Sequence, residues 1–462
     1  MSVQKQLSRR DFLRLASVTA GVTVLAACQP AAPATAPAAP SAATKPAEKA
    51  PQAAQPTAAP AAKAQTTVRL LTTHGATMAP FIADSLKKFA QQYPEVKVEH
   101  EDLTEGYYDR LNVMVATGTL PDVVNLRSFD MFDWYRLGNL HSVSDFMALE
   151  PTLKASEMVD AIMKSCYFEG KYWGLPYDAS TMIFFYNRDL FKSSGVEEPK
   201  DTWTIDDMVK AAQTITKGDN WGFAALPGYA DWTVEPWILA YGGTIVNEAR
   251  DQWTMVGKEA EAAIQLLVDL RKKYKVAPEP AAQGNINLFV LGKGGMRNAG
   301  QWEVPGNREA LKFDWDVAWF PTGPVGFKSI THGGTYIMNA KTKVASDAWK
   351  VQRWICAGED WQMNVYGKSG YSIPALKSVA EKAWMAPIIA GQPPKRGKLV
   401  LDQLAKSQPG ALWPNYQKVA SFMKEELDPC FIQDRPVKEG LEALKKRADV
   451  AITEALSQKK TG

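Results

Sequence analysis

The chain has 462 residues, of which 46% are hydrophobic, 22% are charged and 10% are aromatic. This composition is typical of a globular protein and excludes a wholly disordered chain, a collagen-like fibre and a multi-span membrane protein. Lysine and arginine number 53 against 50 aspartates and glutamates, so the formal net charge is only +3. We therefore expect no nucleic-acid partner, because binding to a phosphate backbone needs clustered positive charge. At about 100–200 residues per domain, the length predicts two or three domain-sized units.

The first 27 residues resemble a bacterial export signal. Ser8-Arg9-Arg10-Asp11-Phe12-Leu13 resembles a twin-arginine motif, and the apolar run Ala16–Ala27 is shorter than the roughly 20 residues that span a bilayer. Leu25-Ala26-Ala27-Cys28 resembles a lipobox, whose cysteine is lipidated after cleavage. We predict a signal peptide at 1–27 and a lipid anchor at Cys28, on the outer face of the cytoplasmic membrane, periplasmic or at the cell surface. The alternative is an N-terminal amphipathic helix that packs on the protein.

Residues 28–65 have the composition of a spacer. Positions 29–65 contain 17 alanines and eight prolines in 37 residues. Proline at this density prevents a continuous helix, and the segment has too little apolar surface to fold. We predict a semi-rigid tether that holds a folded body away from a membrane.

Strands and helices alternate after Thr67. The hydrophobic patterns predict a strand at 68–71, a helix at 78–93, a strand at 96–98, a helix at 107–117 and a strand at 122–126. A second alternating region runs from about residue 182 to 321, and a helical C-terminal region follows. This order predicts an α/β fold with parallel or mixed sheets flanked by helices. Ligands of such sheets bind beyond the carboxyl ends of strands, where His74 and the segment 127–130 fall.

Four sequence blocks stand in order along the rest of the chain. They are Tyr108-Asp109-Arg110-Leu111 with 116–124, Gly170-Lys171-Tyr172-Trp173-Gly174-Leu175-Pro176 with 185–191, Gly222-Phe223 with 240–243, and Phe289 to Trp302. As an ordered set they resemble the extracellular solute-binding proteins of bacterial ABC importers, of the sugar-binding type related to maltose-binding proteins. The resemblance covers most of residues 66–440.

The resemblance implies a two-lobe hinged fold, the type II periplasmic-binding-protein fold, and a receptor that is not an enzyme. It assigns residues 66–180 with about 325–375 to lobe 1, and 181–324 with about 376–462 to lobe 2. The implied function is a monomeric, extracytoplasmic receptor that binds a sugar or oligosaccharide between the lobes. The receptor would deliver this solute to the membrane permease subunits of an ABC transporter, and no cofactor is expected.

Sugars offer C–H faces to aromatic rings and hydroxyl groups to polar side chains. The resemblance implies ligand contacts for Trp232, Trp302 and Trp413, with core packing as the alternative for each. Asp178, beside Tyr177, falls at the implied crossover between lobes, where a carboxylate accepts hydroxyl hydrogen bonds or is simply solvated. The other candidate ligand-binding residues are Gly334, which permits close backbone approach, His74, Tyr371, and Arg127 with Asp130, for which a local ion pair is the alternative.

Two other functions stay open at this point. The same fold binds other solutes, such as a peptide, a polyamine or a glycerophosphate-like compound, although the candidate segments show no basic or acidic cluster that favours one. A secreted glycoside hydrolase would need two carboxylates about 5–10 Å apart, for which Asp178 and Glu303 are the available pair. We predict no catalytic residue.

The cysteines and histidines show no metal-ligand spacing, so we predict no metal site. If Cys28 is lipidated, Cys166, Cys356 and Cys430 permit at most one intramolecular disulfide, and the sequence leaves its pairing open.

Overall fold

The computed structural model describes residues 65–153, 155–224, 231–279, 287–370 and 372–458. The predicted signal peptide, the tether as far as residue 64 with its Cys28, and Tyr371 lie outside the described residues. All elements described below belong to the unit Ala62–Gly462.

The secondary structure confirms the predicted alternation of strands and helices in the first part of this unit. The strands are β1 (Thr66–Thr72), β2 (Val96–Asp102), β3 (Val123–Arg127), β4 (Tyr167–Phe168), β5 (Lys171–Tyr172), β6 (Leu175–Pro176), β7 (Asp178–Asn187), β8 (Trp221–Phe223), β9 (Gly294–Gly300), β10 (Trp315–Ala318), β11 (Ile330–His332), β12 (Gly334–Met338), β13 (Ile373–Pro374) and β14 (Gln408–Pro409).

Helices follow most of these strands. They are α1 (Ala79–Gln92), α2 (Tyr107–Thr117), α3 (Met131–Arg136), α4 (Ser144–Ala148), α5 (Asp160–Lys164), α6 (Arg188–Ser193), α7 (Ile205–Ile215), α8 (Asp231–Ala240), α9 (Lys258–Lys272), α10 (Val304–Ala310), α11 (Ala345–Ala357), α12 (Glu359–Trp361), α13 (Lys377–Ile389), α14 (Lys398–Lys406), α15 (Tyr416–Ile432) and α16 (Val437–Ser457). Short 3-10 turns occur at Ser128–Asp130, Ala155–Glu157 and Gln301–Glu303, and a π-helix at Gln362–Gly367.

The first sheet has the strand order β2-β1-β3-β12-β6. β1 runs parallel to β2 and β3, whereas β12 is antiparallel to β3 and β6. Val68 and Leu70 of β1 share a buried cluster with Ile82 and Phe89 of α1. The helical spacing of these apolar residues places α1 on one face of the sheet, as expected for a β–α–β unit.

The second sheet is built around β7. Its order is β14-β11-β7-β9-β8, and β10 and β13 also pair with β7. Phe184 and Phe185 of β7 are both fully buried but belong to different hydrophobic clusters, so both faces of this strand are covered. A continuous apolar run is typical of a strand buried on both faces. β7 is antiparallel to β9, β10, β11 and β13, whereas β8 is parallel to β9 and β14 to β11, so both sheets are mixed. We call each sheet with its flanking helices a lobe.

The chain crosses between the sheets three times, between β6 and β7, between β11 and β12, and between β12 and β13. The first two crossovers are short and adjacent. Tyr177 alone separates β6 of the first sheet from β7 of the second, and Gly333 alone separates β11 from β12. These two crossovers are in contact, because the Tyr177 N–H donates to the Gly334 carbonyl at 3.0 Å. A Cβ at Gly334 would lie 2.1 Å from the Tyr177 ring, and one at Gly333 would lie 2.4 Å from the Asp178 carbonyl oxygen. Glycine is therefore required at both positions.

The three cysteines of the described region, Cys166, Cys356 and Cys430, are buried and form no disulfide. The structure thus answers the pairing question that the sequence left open. Across the described ranges, no helix combines the length and apolar character needed to cross a membrane.

Candidate ligand-binding cleft

A cavity of about 270 Å³ lies beside the two short crossovers. Both lobes contribute to its walls, since Arg127 ends β3 of the first sheet and Trp302 follows β9 of the second. The predicted site residues that line it are Arg127, Tyr177, Asp178, Trp232, Trp302 and Gly334. The other lining residues are Phe129, Ser180, Thr181, Met182, Ile330, His332, Gly333 and Ser372.

Two tryptophans form an aromatic wall of this cavity. Trp232 stands at the start of α8 and Trp302 in the turn after β9, and their ring centroids lie 5.5 Å apart at an interplanar angle of 66°. Trp302 is 37% exposed. Its ring lies across the backbone of Gly300, where a Cβ would come within 2.1 Å of the ring, so this glycine makes room for it. The pair offers apolar ring surface to a ligand.

Asp178 belongs to the polar part of the lining, which we call the polar wall. Its Oδ1 accepts a hydrogen bond from the Gly334 N–H, so the carboxyl joins the two short crossovers. Burial raises the pKa of Asp178 from 3.8 to about 7, against the lowering effect of the hydrogen bond from the Gly334 N–H. Near neutral pH this carboxyl exists in both forms, so it can donate a hydrogen bond as well as accept one.

Arg127 is held against aromatic rings at the edge of the same wall. Its guanidinium lies 4.0 Å from the centroid of Tyr108 and 4.4 Å from that of Phe129, and its Nε donates to the Tyr108 hydroxyl at 2.6 Å. Asp130 lies behind it, with Oδ2 3.5 Å from Nε. The Arg127 side chain is 43% exposed and that of Asp130 only 6%, so Arg127 faces the cavity and Asp130 orients it.

Asp130 itself does not line the cavity. Gln417 donates to its Oδ1 at 3.1 Å, and burial raises its pKa to about 6, although Arg127 opposes this effect. The local ion pair that was the alternative for these two residues is therefore present.

His74 lies in the interior of the first lobe, behind Tyr177. Its Nε2 is 2.9 Å from the Tyr336 hydroxyl, and its ring meets the Tyr177 ring edge-on at 5.3 Å. Burial lowers its pKa to about 4, so the ring is neutral at physiological pH. It does not line the cavity, because Tyr177 stands in front of it.

Trp413 also lies away from the cavity. It is fully buried, meeting Trp253 edge-on at a centroid distance of 5.2 Å and Tyr416 at 4.9 Å. Asn415 adopts a left-handed conformation, with φ of 57°, and turns the chain into α15. The turn leaves Trp413 in the hydrophobic core, which was its alternative assignment.

His332 lines the cavity, although the sequence did not point to it as a ligand-binding candidate. Neither ring nitrogen has a hydrogen-bond partner among the described residues, and Nε2 lies 3.9 Å from Oε2 of the buried Glu235. Burial lowers the pKa of His332 to about 4, so a neutral imidazole borders the cavity. The available signal was its position at the end of a strand, directly before the glycine pair 333–334.

The carboxylate pair of a glycoside hydrolase is not assembled here. Glu303 forms an ion pair with Arg297 and does not line the cavity. Asp178 is the only carboxylate among the described residues that line it. Across the described ranges, no group of three or more potential metal ligands comes together either.

The family model of bacterial extracellular solute-binding proteins matches residues 84–391, more than half of the chain. The chain belongs to this family. A relative from Brucella abortus (strain 2308), named only as a binding protein, is 25% identical over 327 residues, which cover 67% of this chain and 75% of the relative. The maltodextrin-binding protein of Bacillus subtilis (strain 168) is 24% identical over 277 residues, covering 58% of this chain and 63% of that protein.

Solved structures show the same fold for this solute-binding protein. The ABC substrate-binding protein Lmo0181 from Listeria monocytogenes, solved in complex with cycloalternan, superposes with a TM-score of 0.74. The match covers 84% of this chain and 99% of that one at 20% identity. The two-lobe fold expected from the sequence is thereby confirmed.

Proposed function

We propose that this solute-binding protein is the extracytoplasmic receptor of an ABC importer and binds a carbohydrate, a sugar or an oligosaccharide, between its lobes. The observation that carries the proposal is a single cavity with an aromatic wall, Trp232 and Trp302, and a polar wall that includes Asp178 and Arg127. This pairing matches the two surfaces of a sugar ring, its C–H faces and its hydroxyl rim. The maltodextrin-binding relative and the cycloalternan complex support the same ligand class.

Binding in this proposal is coupled to a hinge motion at the crossovers. A ligand that contacts Arg127 on one sheet and Trp302 on the other favours the conformation in which both contacts form at once. No covalent step is required. The contact residues we propose are those predicted residues that line the cavity, together with His332. The lobe boundaries we propose lie at Tyr177 and Gly333, where the chain passes between the sheets, rather than near residues 180 and 325.

The start of the chain supports an exported and membrane-anchored receptor. In order, it carries a twin-arginine-like motif, a lipobox-like segment with Cys28 and an Ala/Pro-rich tether. We propose that Cys28 is lipidated and that the tether keeps the receptor near the permease subunits, to which it delivers the solute. Metabolic labelling with a fatty-acid probe should mark the wild-type protein and not the Cys28→Ala variant; labelling of both would contradict this anchor.

Titration of the protein with a panel of oligosaccharides tests the proposed ligand class. We expect at least one member to change the tryptophan fluorescence and to raise the melting temperature, because Trp232 and Trp302 lie in the cavity. Mass spectrometry of solute that co-purifies with the protein gives an independent identification. If no oligosaccharide of the panel changes the fluorescence or the melting temperature, a carbohydrate receptor is contradicted. Sustained hydrolysis of an aryl glycoside would favour a hydrolase instead.

A further inference from the structure

A second cavity, of about 740 Å³, adjoins the ligand-binding cavity. Ser372 lines both, so the two spaces are neighbours. The walls of the second cavity come from α10, from the π-helix Gln362–Gly367 with the residues after it, and from α13 with the segment that follows it. None of the predicted site residues that the structure describes lines it.

The charged side chains of this second cavity are mostly basic. Arg308, Lys368 and Lys382 line it, against Glu309 as the one described acidic side chain. Arg308 is half-buried, and its Nε donates to the Pro393 carbonyl at 2.7 Å. Its Nη2 is shielded from solvent and has no acceptor among the described residues. A guanidinium nitrogen without an acceptor is costly, and because Arg308 lines the cavity, a rotation of its guanidinium would give Nη2 an anionic partner there.

Part of the remaining wall is apolar. Trp384 and Met363 line it, and the Trp384 ring is fixed by a hydrogen bond from Nε1 to the Gly397 carbonyl at 2.8 Å. Gly367 ends the π-helix at a point where a Cβ would lie 2.8 Å from the Ala383 Cβ. Short π-helical segments are rare and occur frequently at functional sites. This one brings the backbone of 367–370 to the cavity, beside α13.

We propose that the second cavity binds a uronate unit of an acidic oligosaccharide, whose neutral part occupies the first cavity; this inference rests on the proposed function. Since Ser372 lines both spaces, an extended ligand that passes this residue would occupy both. The guanidinium of Arg308 pairs with the carboxylate, and Lys368 and Lys382 add positive charge at the rim. Trp384 and Met363 contact the sugar ring that carries this carboxylate.

The test compares matched acidic and neutral oligosaccharides. Oligomers of galacturonate, glucuronate and mannuronate, two to four units long, are titrated beside their neutral hexose counterparts by calorimetry at low salt. For at least one pair we expect the acidic member to bind about tenfold more tightly to the wild-type protein. The Arg308→Gln variant should lose this preference and keep its affinity for the neutral member.

Two further variants separate a local effect from a change in net charge. Lys382→Gln, at an exposed position in the cavity, should reduce the preference for the acidic member less than Arg308→Gln does. Lys446→Gln removes an exposed charge of α16, outside the cavity, and should leave the preference intact. A preference that survives in Arg308→Gln would overturn the assignment of this cavity.

The remaining outcomes distinguish this inference from the proposed function. If neutral oligosaccharides bind and no acidic counterpart binds more tightly, the second cavity is not a uronate site and the carbohydrate receptor stands. If no saccharide of either kind binds, both fail. If inorganic phosphate alone raises the melting temperature through Arg308 while the saccharide pairs bind equally, the cavity holds a free anion and the extended-ligand proposal is wrong.

Discussion

The two walls of the ligand-binding cavity are built in different ways. The aromatic wall, Trp232 and Trp302, consists of rings that meet edge-on, and Trp302 is 37% exposed. Asp178 and His332 of the polar wall are largely buried and lie at the crossovers. The backbone of Gly333 packs against Asp178, and His332 directly precedes this glycine in the chain. We therefore expect the aromatic wall to act mainly on ligand affinity. The polar wall also carries the electrostatic cost of burial, so its substitution affects folding stability as well.

Asp178→Asn tests the electrostatic cost in the polar wall. Because folding raises the pKa of this carboxyl from 3.8 to about 7, its contribution to stability is present below about pH 4 and is lost as the pH rises through 7. The asparagine variant has no such loss. We expect the variant's free energy of unfolding, relative to wild type, to increase between pH 4 and 7 and then level off, by about 4 kcal/mol at most.

Chemical denaturation of both proteins across this pH range measures the difference. His74 and His332 act with the opposite sign, since their pKa is lowered to about 4, so their contribution is present above pH 6.5 and falls toward pH 4. They are common to both proteins and cancel in the comparison. A difference that does not change with pH would show that Asp178 is ionised in the fold throughout.

Trp302→Ala removes half of the aromatic wall. We expect the affinity for the carbohydrate to fall by about thirtyfold, or about 2 kcal/mol, with little loss of stability because the side chain is 37% exposed. Calorimetric titration and thermal unfolding measure the two effects. Trp354→Ala is the matched control: Trp354 packs on Phe89 at 5.8 Å in the first lobe and does not line the cavity, so its loss should lower stability and leave affinity unchanged. The reverse pattern would contradict the aromatic wall.

His332→Leu replaces a neutral ring that has no hydrogen-bond partner among the described residues with an apolar side chain. If the imidazole binds a ligand hydroxyl, the variant should bind about tenfold more weakly at pH 7. Its affinity relative to wild type should not vary between pH 6 and 8, because the pKa of His332 is about 4. His141→Leu, outside the cavity, serves as the control in the same titration, and equal losses in both variants would argue against a contact with the ligand.

Trp413→Phe has the smallest expected effect on binding. The residue is fully buried beside Trp253 and does not line the cavity, so affinity should stay within about twofold of wild type. Loss of ring volume should lower the free energy of unfolding by about 1 kcal/mol. Parallel titration and denaturation measure both effects. A large loss of affinity without loss of stability would indicate that Trp413 contacts the ligand.

The first half of the fold was predictable because its signals are local. The strand and helix patterns between residues 66 and 127 each occupy one short segment, and Pro94 marks the end of α1. The second sheet was harder to predict from the sequence. β7 pairs with β9, β10, β11 and β13, which lie more than 100 residues further along the chain, and no local pattern specifies these partners. Only the structure shows the order of its strands.

A site residue was predictable where its position at the end of a strand decides whether its side chain lines the cavity. Asp178 begins a strand and Trp302 follows one, and both line the cavity. His74 also follows a strand, but Tyr177 covers it. The cations of the second cavity, Arg308, Lys368 and Lys382, come from separate elements and form no motif, so only the folded chain reveals them.

The contact between the crossovers at Tyr177 and Gly334 also sets the mechanical leverage of the molecule. These two short connections, in contact beside the cavity, form one pivot between the sheets, and the longer connection from β12 to β13 adds a third link. A displacement of a fraction of an ångström near Asp178 would be magnified at the outer rims of the lobes. A transporter that binds those rims would then respond to bound solute without contacting the solute itself.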